Sequence, residues 1–257
     1  MVALPRRLSR FAEGERQRIA RELRAVGSLA ADGNPFLRSY LGSPVPALGV
    51  RAPDLRTVVS ATARRWAGRP RPEARSLVRA LWAAPVFEEK MVAIELLLRP
   101  PLADDPRAWR LATRWVDTAT GWALSDSLAS GPVATLVAAR PARFDELLAW
   151  TRSKNLWRRR ASTYALRAWV HAGELDRPFS LLERLLDDPE RWVQRAVGTW
   201  LRECWKKDPA RTERFLRREV KRLAPVTVTV ATERAAKRFR AELRSRSTRR
   251  PPGRRAY

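Results

Sequence analysis

The sequence predicts an all-α protein, a solenoid of stacked helical hairpins. Three observations predict it. Apolar residues recur at helical spacing, Asp-Pro pairs stand where helices begin, and one step of 35 residues relates four aromatic positions. The first is clearest in EEKMVAIELLLR (88–99) and PERWVQRAVGTWLREC (189–204), where apolar side chains return every three or four residues. The second is seen in DDPRAW (104–109) and DDPERW (187–192). Proline suits a first helical turn, where its missing N–H would have had no partner. The one strand-like run, VTVTV (226–230), is short, lacks a partner and follows Pro225, so it reads as a linker or a helix start.

The third observation gives the architecture. Phe87, Trp122, Trp157 and Trp192 are each 35 residues apart. Three residues on stand Lys90, Ser125, Arg160 and Arg195; four on stand Met91, Asp126, Ala161 and Ala196; nine on stand Leu96, Gly131, Leu166 and Leu201. That period suits a helical hairpin, which cannot bury its apolar face alone and therefore stacks on copies of itself. The clearest repeats cover about 81–205, within a single domain predicted over 1–242. Residues 1–80 match the step poorly and predict diverged or capping helices. The tail 243–257, rich in charge and proline, predicts disorder.

Charge then narrows the partner. The 257 residues hold 52 Lys+Arg against 27 Asp+Glu, a net charge of +25. Residues 233–257 carry ten of the bases and two of the acids, so most of the excess lies in the body. Such an imbalance predicts a polyanion, with nucleic acid ahead of an anionic membrane surface. Stacked hairpins present a concave face on which equivalent positions align. Lys90, Arg160 and Arg195, with Arg159 beside them, are expected to line it as a basic stripe toward backbone phosphates. The bland alternative is a solvated helix face.

Composition also excludes. Cys204 and His171 are the sole residues of their types, which rules out an internal disulfide and a zinc site of the usual kind. No cofactor or metal is expected. The polar opening MVALPRRLSRFAEGERQ carries no apolar core of signal-peptide length, and no run approaches a membrane span. The expectation is a cytoplasmic, nucleoid-associated monomer with no membrane and no obligate protein partner.

Asp126 breaks the repeat, because Met91, Ala161 and Ala196 hold its place elsewhere. A carboxylate at an inward position is costly unless paired. Trp122 lies one helical turn earlier and Arg160 belongs to the next repeat. One reading is a structural ion pair of Asp126 with Arg160 or Arg159. The other is a carboxylate facing the positive charge that develops when an N-glycosidic bond breaks. At ~4 Å and an effective dielectric of ~20 this is worth up to ~4 kcal/mol, on the order of a thousandfold in rate. That suffices only for an activated leaving group such as a cationic alkylated purine, which an indole face also favours.

Several segments together resemble the AlkD-like family of bacterial DNA alkylation repair proteins, from about Tyr40 to about Lys237. SYLGSPVPALGVRAPDLR (39–56) is similar to the family's Tyr segment and its Gly-Val-x-x-Pro-x-x-Arg turn. LWAAPVFEEKMVAIELLL (81–98) is similar to its Leu-Trp-x-x-Pro-x-x-Glu helix, and GWALSDS (121–127) to its Trp-x-x-x-Asp motif. NLWRRRA (155–161) resembles the segment supplying an Arg, and QRAVGTWLRE (194–203) a helix with a second active-site Trp. The last match departs from the pattern. Thr199 follows Gly198 where the family has Trp, and Trp200 comes one residue later, a rotation of about 100°.

The resemblance implies a HEAT-like repeat superhelix with a concave basic DNA-binding face. It implies a glycosylase that removes cationic N3- and N7-alkylpurines from duplex DNA without fully flipping the base. Asp126 would then stabilise the sugar cation and position water, and Trp122 would stack on the sugar edge. Tyr40 and Arg160 would contact the lesion strand, and Thr199 or Trp200 would provide a second wall. The alternatives are a non-catalytic repeat protein that binds damaged or branched DNA, and a protein-interaction solenoid.

Overall fold

In the computed structural model the described residues, 10–28 and 35–247, are helical throughout apart from turns and loops. They group into two compact units that divide between Pro132 and Val133, where the repeat pattern alone predicts one domain over 1–242. The break falls in a π-type turn, Ala129–Val133, whose Gly131 leaves helical geometry at φ −92° and ψ −105°. Pro132 beside it has no N–H to donate.

The first unit contains α1 (Arg10–Val26), α2 (Pro35–Leu41), α3 (Ala52–Trp66), α4 (Arg71–Ala83), α5 (Phe87–Leu96), α6 (Ala108–Thr118) and α7 (Trp122–Leu128). Helix α1 packs on α3, α4 and α5 and buries Ile19 and Leu23 completely. Helices α4/α5 and α6/α7 are successive hairpins. The segment 81–98, predicted as one helix, bends at Pro85: Ala84 and Val86 are extended, and α5 begins at Phe87. Between the hairpins Trp82 stacks on Trp115 at 4.9 Å and its indole N–H donates to the Thr118 hydroxyl at 3.1 Å. Arg75 and Asp105 form a buried ion pair at 2.6 Å. Burial pushes the Asp105 carboxyl up, but the Arg107 amide and the Arg75 guanidinium overcome it and hold the group below its ordinary value.

The second unit contains α8 (Ala134–Ala138), α9 (Phe144–Trp150), α10 (Leu156–Tyr164), α11 (Arg167–Ala172), α12 (Asp176–Glu183), α13 (Arg191–Lys207), α14 (Pro209–Arg218), α15 (Pro225–Ala231) and α16 (Lys237–Arg246). Helix α13 is its centre and packs on α10, α14 and α15. Gly198 permits the approach of α15, because a Cβ there would lie 2.9 Å from the Val230 Cβ. The buried Gln194 amide donates to the carbonyls of Leu185, Leu186 and Asp188, and Thr227 donates back to its carbonyl oxygen at 2.7 Å. VTVTV is therefore the body of helix α15, the second of its two sequence readings.

The 35-residue step has a structural meaning. Phe87 and Trp122 begin α5 and α7, and Trp157 and Trp192 are second in α10 and α13. Each aromatic marks the first turn of a hairpin's closing helix. The Asp-Pro signals work in two ways. Asp208 caps α14 by accepting from the Arg211 amide at 2.9 Å. Asp105 and Asp188 accept from the amides two residues on, those of Arg107 and Glu190, turning the chain into α6 and α13.

The predicted tail needs correction at its start. Helix α16 runs to Arg246, with Leu243 fully buried and Phe239 against Trp205 at 5.5 Å. Two apolar residues one turn apart suffice to dock it. The remainder, 248–257, lies outside the described residues. No helix among those described is long and apolar enough to cross a membrane.

Candidate nucleic-acid site

In the first unit the site is assembled from a loop and a helix start. Gly121, at φ +81°, turns the chain so that α7 opens on Trp122. Gly42, at φ +59°, reverses the chain after α2. The two glycines meet backbone to backbone. A Cβ on Gly121 would lie 1.7 Å from the Gly42 carbonyl oxygen, and one on Gly42 would lie 2.5 Å from the Trp122 ring. Both positions need glycine for its left-handed φ and for its missing side chain. Beside them the Ser43 and Thr120 hydroxyls are 3.3 Å apart. The loop that follows is fixed by Glu88, a buried carboxylate that accepts from the Leu48 and Gly49 amides at 2.9 Å each. The Phe87 amide donates to the Pro46 carbonyl at 2.8 Å. These contacts join the two predicted motifs at 39–56 and 81–98.

The result is an aromatic surface. Tyr40 meets Trp122 edge to face at 5.9 Å and stacks on Phe36 at 6.3 Å. Tyr40 and Phe36 are 61% and 75% exposed, so the two stacked rings present one apolar face. Trp122 is half-buried. One turn along α7 stands Asp126, 9% exposed, in the inward position that the repeat predicts. The Ser130 hydroxyl donates to its backbone carbonyl at 2.7 Å. Tyr40, Trp122 and Asp126, picked out from sequence, thus belong to one unit, and Tyr40 touches Trp122. Phe36, Gly42, Gly121 and Glu88 were missed. The glycines lie 79 residues apart in the chain, and no local pattern links them.

The predicted cation stripe is corrected. Lys90 is half-buried, its ammonium donating to the Trp82 carbonyl and lying 5.3 Å from the Trp82 ring. Burial holds it below the usual lysine range, with Glu89 partly offsetting. Arg159 is held by Asp188 at 2.5 Å and by the Ser153 carbonyl at 2.8 Å. Arg160 is 5% exposed. It donates to the Trp192 carbonyl and to the Tyr164 hydroxyl at 3.1 Å, with its guanidinium 5.1 Å from the Tyr164 ring. Of these four cations Arg195 alone is exposed. The spacing correctly set their places in the helices, but backbone carbonyls and one carboxylate already hold three of them.

The two candidates for a second wall also separate. Trp200 is 4% exposed and packs edge to face on Tyr164 at 5.6 Å. It is a core residue, as the one-residue rotation implies. Thr199 is half-exposed, and its hydroxyl donates to the Arg195 carbonyl at 3.0 Å. Among the described residues no group of His, Cys, Asp and Glu could hold a metal ion.

Paired helices, with an aromatic in the first turn of α5, α7, α10 and α13 and a carboxylate one turn after that of α7, define the class: an all-α protein built from helical hairpins. The profile of the DNA alkylation repair enzyme family matches residues 19–235, and the chain belongs to that family. Among curated proteins none matches. Three solved structures share the fold. A predicted DNA alkylation repair enzyme from Enterococcus faecalis is 19% identical, covers 82% of this chain and all of its own, and superposes with a TM-score of 0.69. AlkD2 from Streptococcus mutans is 16% identical, with 86% and 98% covered and a TM-score of 0.64. The protein smu.31 from Streptococcus mutans UA159 is 19% identical, with 70% and 98% covered and a TM-score of 0.54.

Proposed function

We propose that this repair protein is a DNA glycosylase that excises cationic N3- and N7-alkylated purines from duplex DNA, acting as a monomer without metal or cofactor. The observation that carries the reading is the grouping in the first unit: an exposed Tyr40 against a half-buried Trp122, with Asp126 one turn further on the same helix. Aromatic faces suit a cationic base and the apolar edge of a deoxyribose. In the proposed reaction the C1′–N bond breaks and its electron pair leaves with the purine, which becomes neutral. The sugar carries the positive charge, which Asp126 stabilises. Water adds to C1′ and releases a proton.

A second reading has its own support. With Trp200 in the core and Thr199 at the half-exposed position, the second aromatic wall implied by resemblance is missing at that place. This favours a protein that binds damaged or branched DNA without cutting it. Single-turnover release of 7-methylguanine from a duplex separates the two. The glycosylase reading expects release above the spontaneous rate, reduced on the order of a thousandfold in Asp126→Asn, with duplex affinity retained. Tight binding with only spontaneous release by the wild type would leave the binding reading in its place.

A further inference from the structure

Four arginines of the first unit converge on a cavity that the site above does not use. Arg107 precedes α6, and Arg110 and Arg114 follow it at three and seven residues, so all three share one helix face. Arg79 faces them from α4, and together with Leu111 the four line a cavity of about 180 Å³. All four are exposed, and none makes an ion pair among the described residues. The acids between these helices are already committed, Asp104 to Arg71 at 2.7 Å and Asp105 to Arg75 at 2.6 Å. Burial, then the neighbouring charges of Arg75, Arg114 and Arg107, hold the Arg79 guanidinium below its ordinary value. Four cations are gathered here, and among the described residues none is in an ion pair; Asp105, already held by Arg75, only partly offsets the charge around Arg79. Guanidinium groups present paired N–H donors that match phosphate oxygens.

We propose that Arg79, Arg107, Arg110 and Arg114 form a phosphate-binding site that takes backbone phosphates of duplex DNA. It lies on the opening helices of two hairpins, α4 and α6, whereas Trp122 and Asp126 lie on the closing helix α7. The assignment of the phosphate to DNA rests on the duplex binding proposed above. The site is a second hold on the duplex, and it supplies the basic contacts that Lys90, Arg159 and Arg160 do not.

The test compares Arg110→Gln/Arg114→Gln with a control, Arg21→Gln/Arg24→Gln. The control removes the same charge from exposed positions on α1. Unmodified duplex affinity is measured across a salt series, and inorganic phosphate is titrated calorimetrically at low salt. The expected result is a salt slope lower by about two in the cluster variant, weaker phosphate heats in the same variant, and smaller changes in the control. Equal losses in cluster and control variants would overturn the proposal, since net charge alone would explain them. A wild type that binds duplex steeply while the cluster variant keeps the full slope would also overturn it, leaving the duplex reading intact. A wild type that binds no duplex but loses phosphate binding with the cluster would keep the anion site and remove DNA as its ligand. Unchanged melting temperatures show that each variant is folded.

Discussion

Trp122 and Trp192 hold the same place in the repeat and have opposite fates. In the second unit Trp192 packs on Trp157 at 6.1 Å, and its carbonyl accepts a hydrogen bond from the Arg160 guanidinium. Aromatic and cation are absorbed into the packing of α10 on α13. In the first unit the residue equivalent to Arg160 is Ser125, fully buried, and Trp122 receives the edge of an exposed tyrosine from outside the repeat. A repeat position therefore fixes a place in a helix but neither depth nor partners: Arg160 is buried and its equivalent Arg195 is exposed. The candidate chemistry arises where a non-repeating piece, α2 and the loop after it, docks on a repeat helix.

The comparison breaks most readily at its glycines. Gly121→Ala is expected to cost about 3 kcal/mol or more in denaturant unfolding, because the new carbon meets a backbone oxygen and the φ is left-handed. It should also abolish base release. Gly173→Ala shares the positive φ, at +79°, but a Cβ there meets nothing within 4 Å, so it should cost only about 1 kcal/mol. Equal costs would mean that the docking contact contributes nothing.

Next come the cations. Arg160→Ala should lose about 2 kcal/mol of stability, since it removes the charged hydrogen bonds of a buried guanidinium. Arg195→Ala should stay within about 0.5 kcal/mol yet weaken duplex binding. The reverse order would reinstate the stripe that the sequence predicts.

Smaller is the acid dependence of the first unit. Asp105 is held below its ordinary value of 3.8. Its contribution is present above that pH and fades as pH falls through the lower folded-state value. Asp105→Asn should therefore flatten the loss of stability seen on acid titration below about pH 4, judged by urea midpoints. A variant that kept the wild-type slope would remove the Arg75 pair from the account.

The smallest effect concerns Cys204 in the second unit. Burial pushes its thiol up to about 12, with Glu203 adding to the shift. Iodoacetamide at pH 8 should leave it untouched in the folded protein and label it once the chain unfolds. Its contribution to stability holds below the unfolded thiol's pKa and is lost as pH rises toward 12. Prompt labelling of the native protein would show α13 to be less closed than its packing implies.

Much of this was legible in the sequence because helical periodicity is local. The 35-residue register located the closing helices, and the departure of Asp126 from Met91, Ala161 and Ala196 marked an inward carboxylate. What was not legible depends on contacts made far along the chain. Nothing near Gly42 indicates that it needs Gly121, and nothing near Glu88 indicates that it will bind the amides of Leu48 and Gly49. Cation partners were misjudged for the same reason. Spacing tells which turn bears Arg160, whereas the carbonyl that accepts its hydrogen bond belongs to another helix. The tail departs from its predicted disorder at its start because charge and proline content over 243–257 hides Leu243, which lies one turn after Phe239 on a single buried stripe.

The contact between Gly42 and Gly121 also bears on how new specificities could be selected in this scaffold. Because main chain meets main chain, the side chains at 36, 40 and 41 can be randomised without disturbing the anchor that presents them. A library confined to those positions, with both glycines held, would change the face offered to a damaged nucleotide while leaving its placement over Trp122 unchanged.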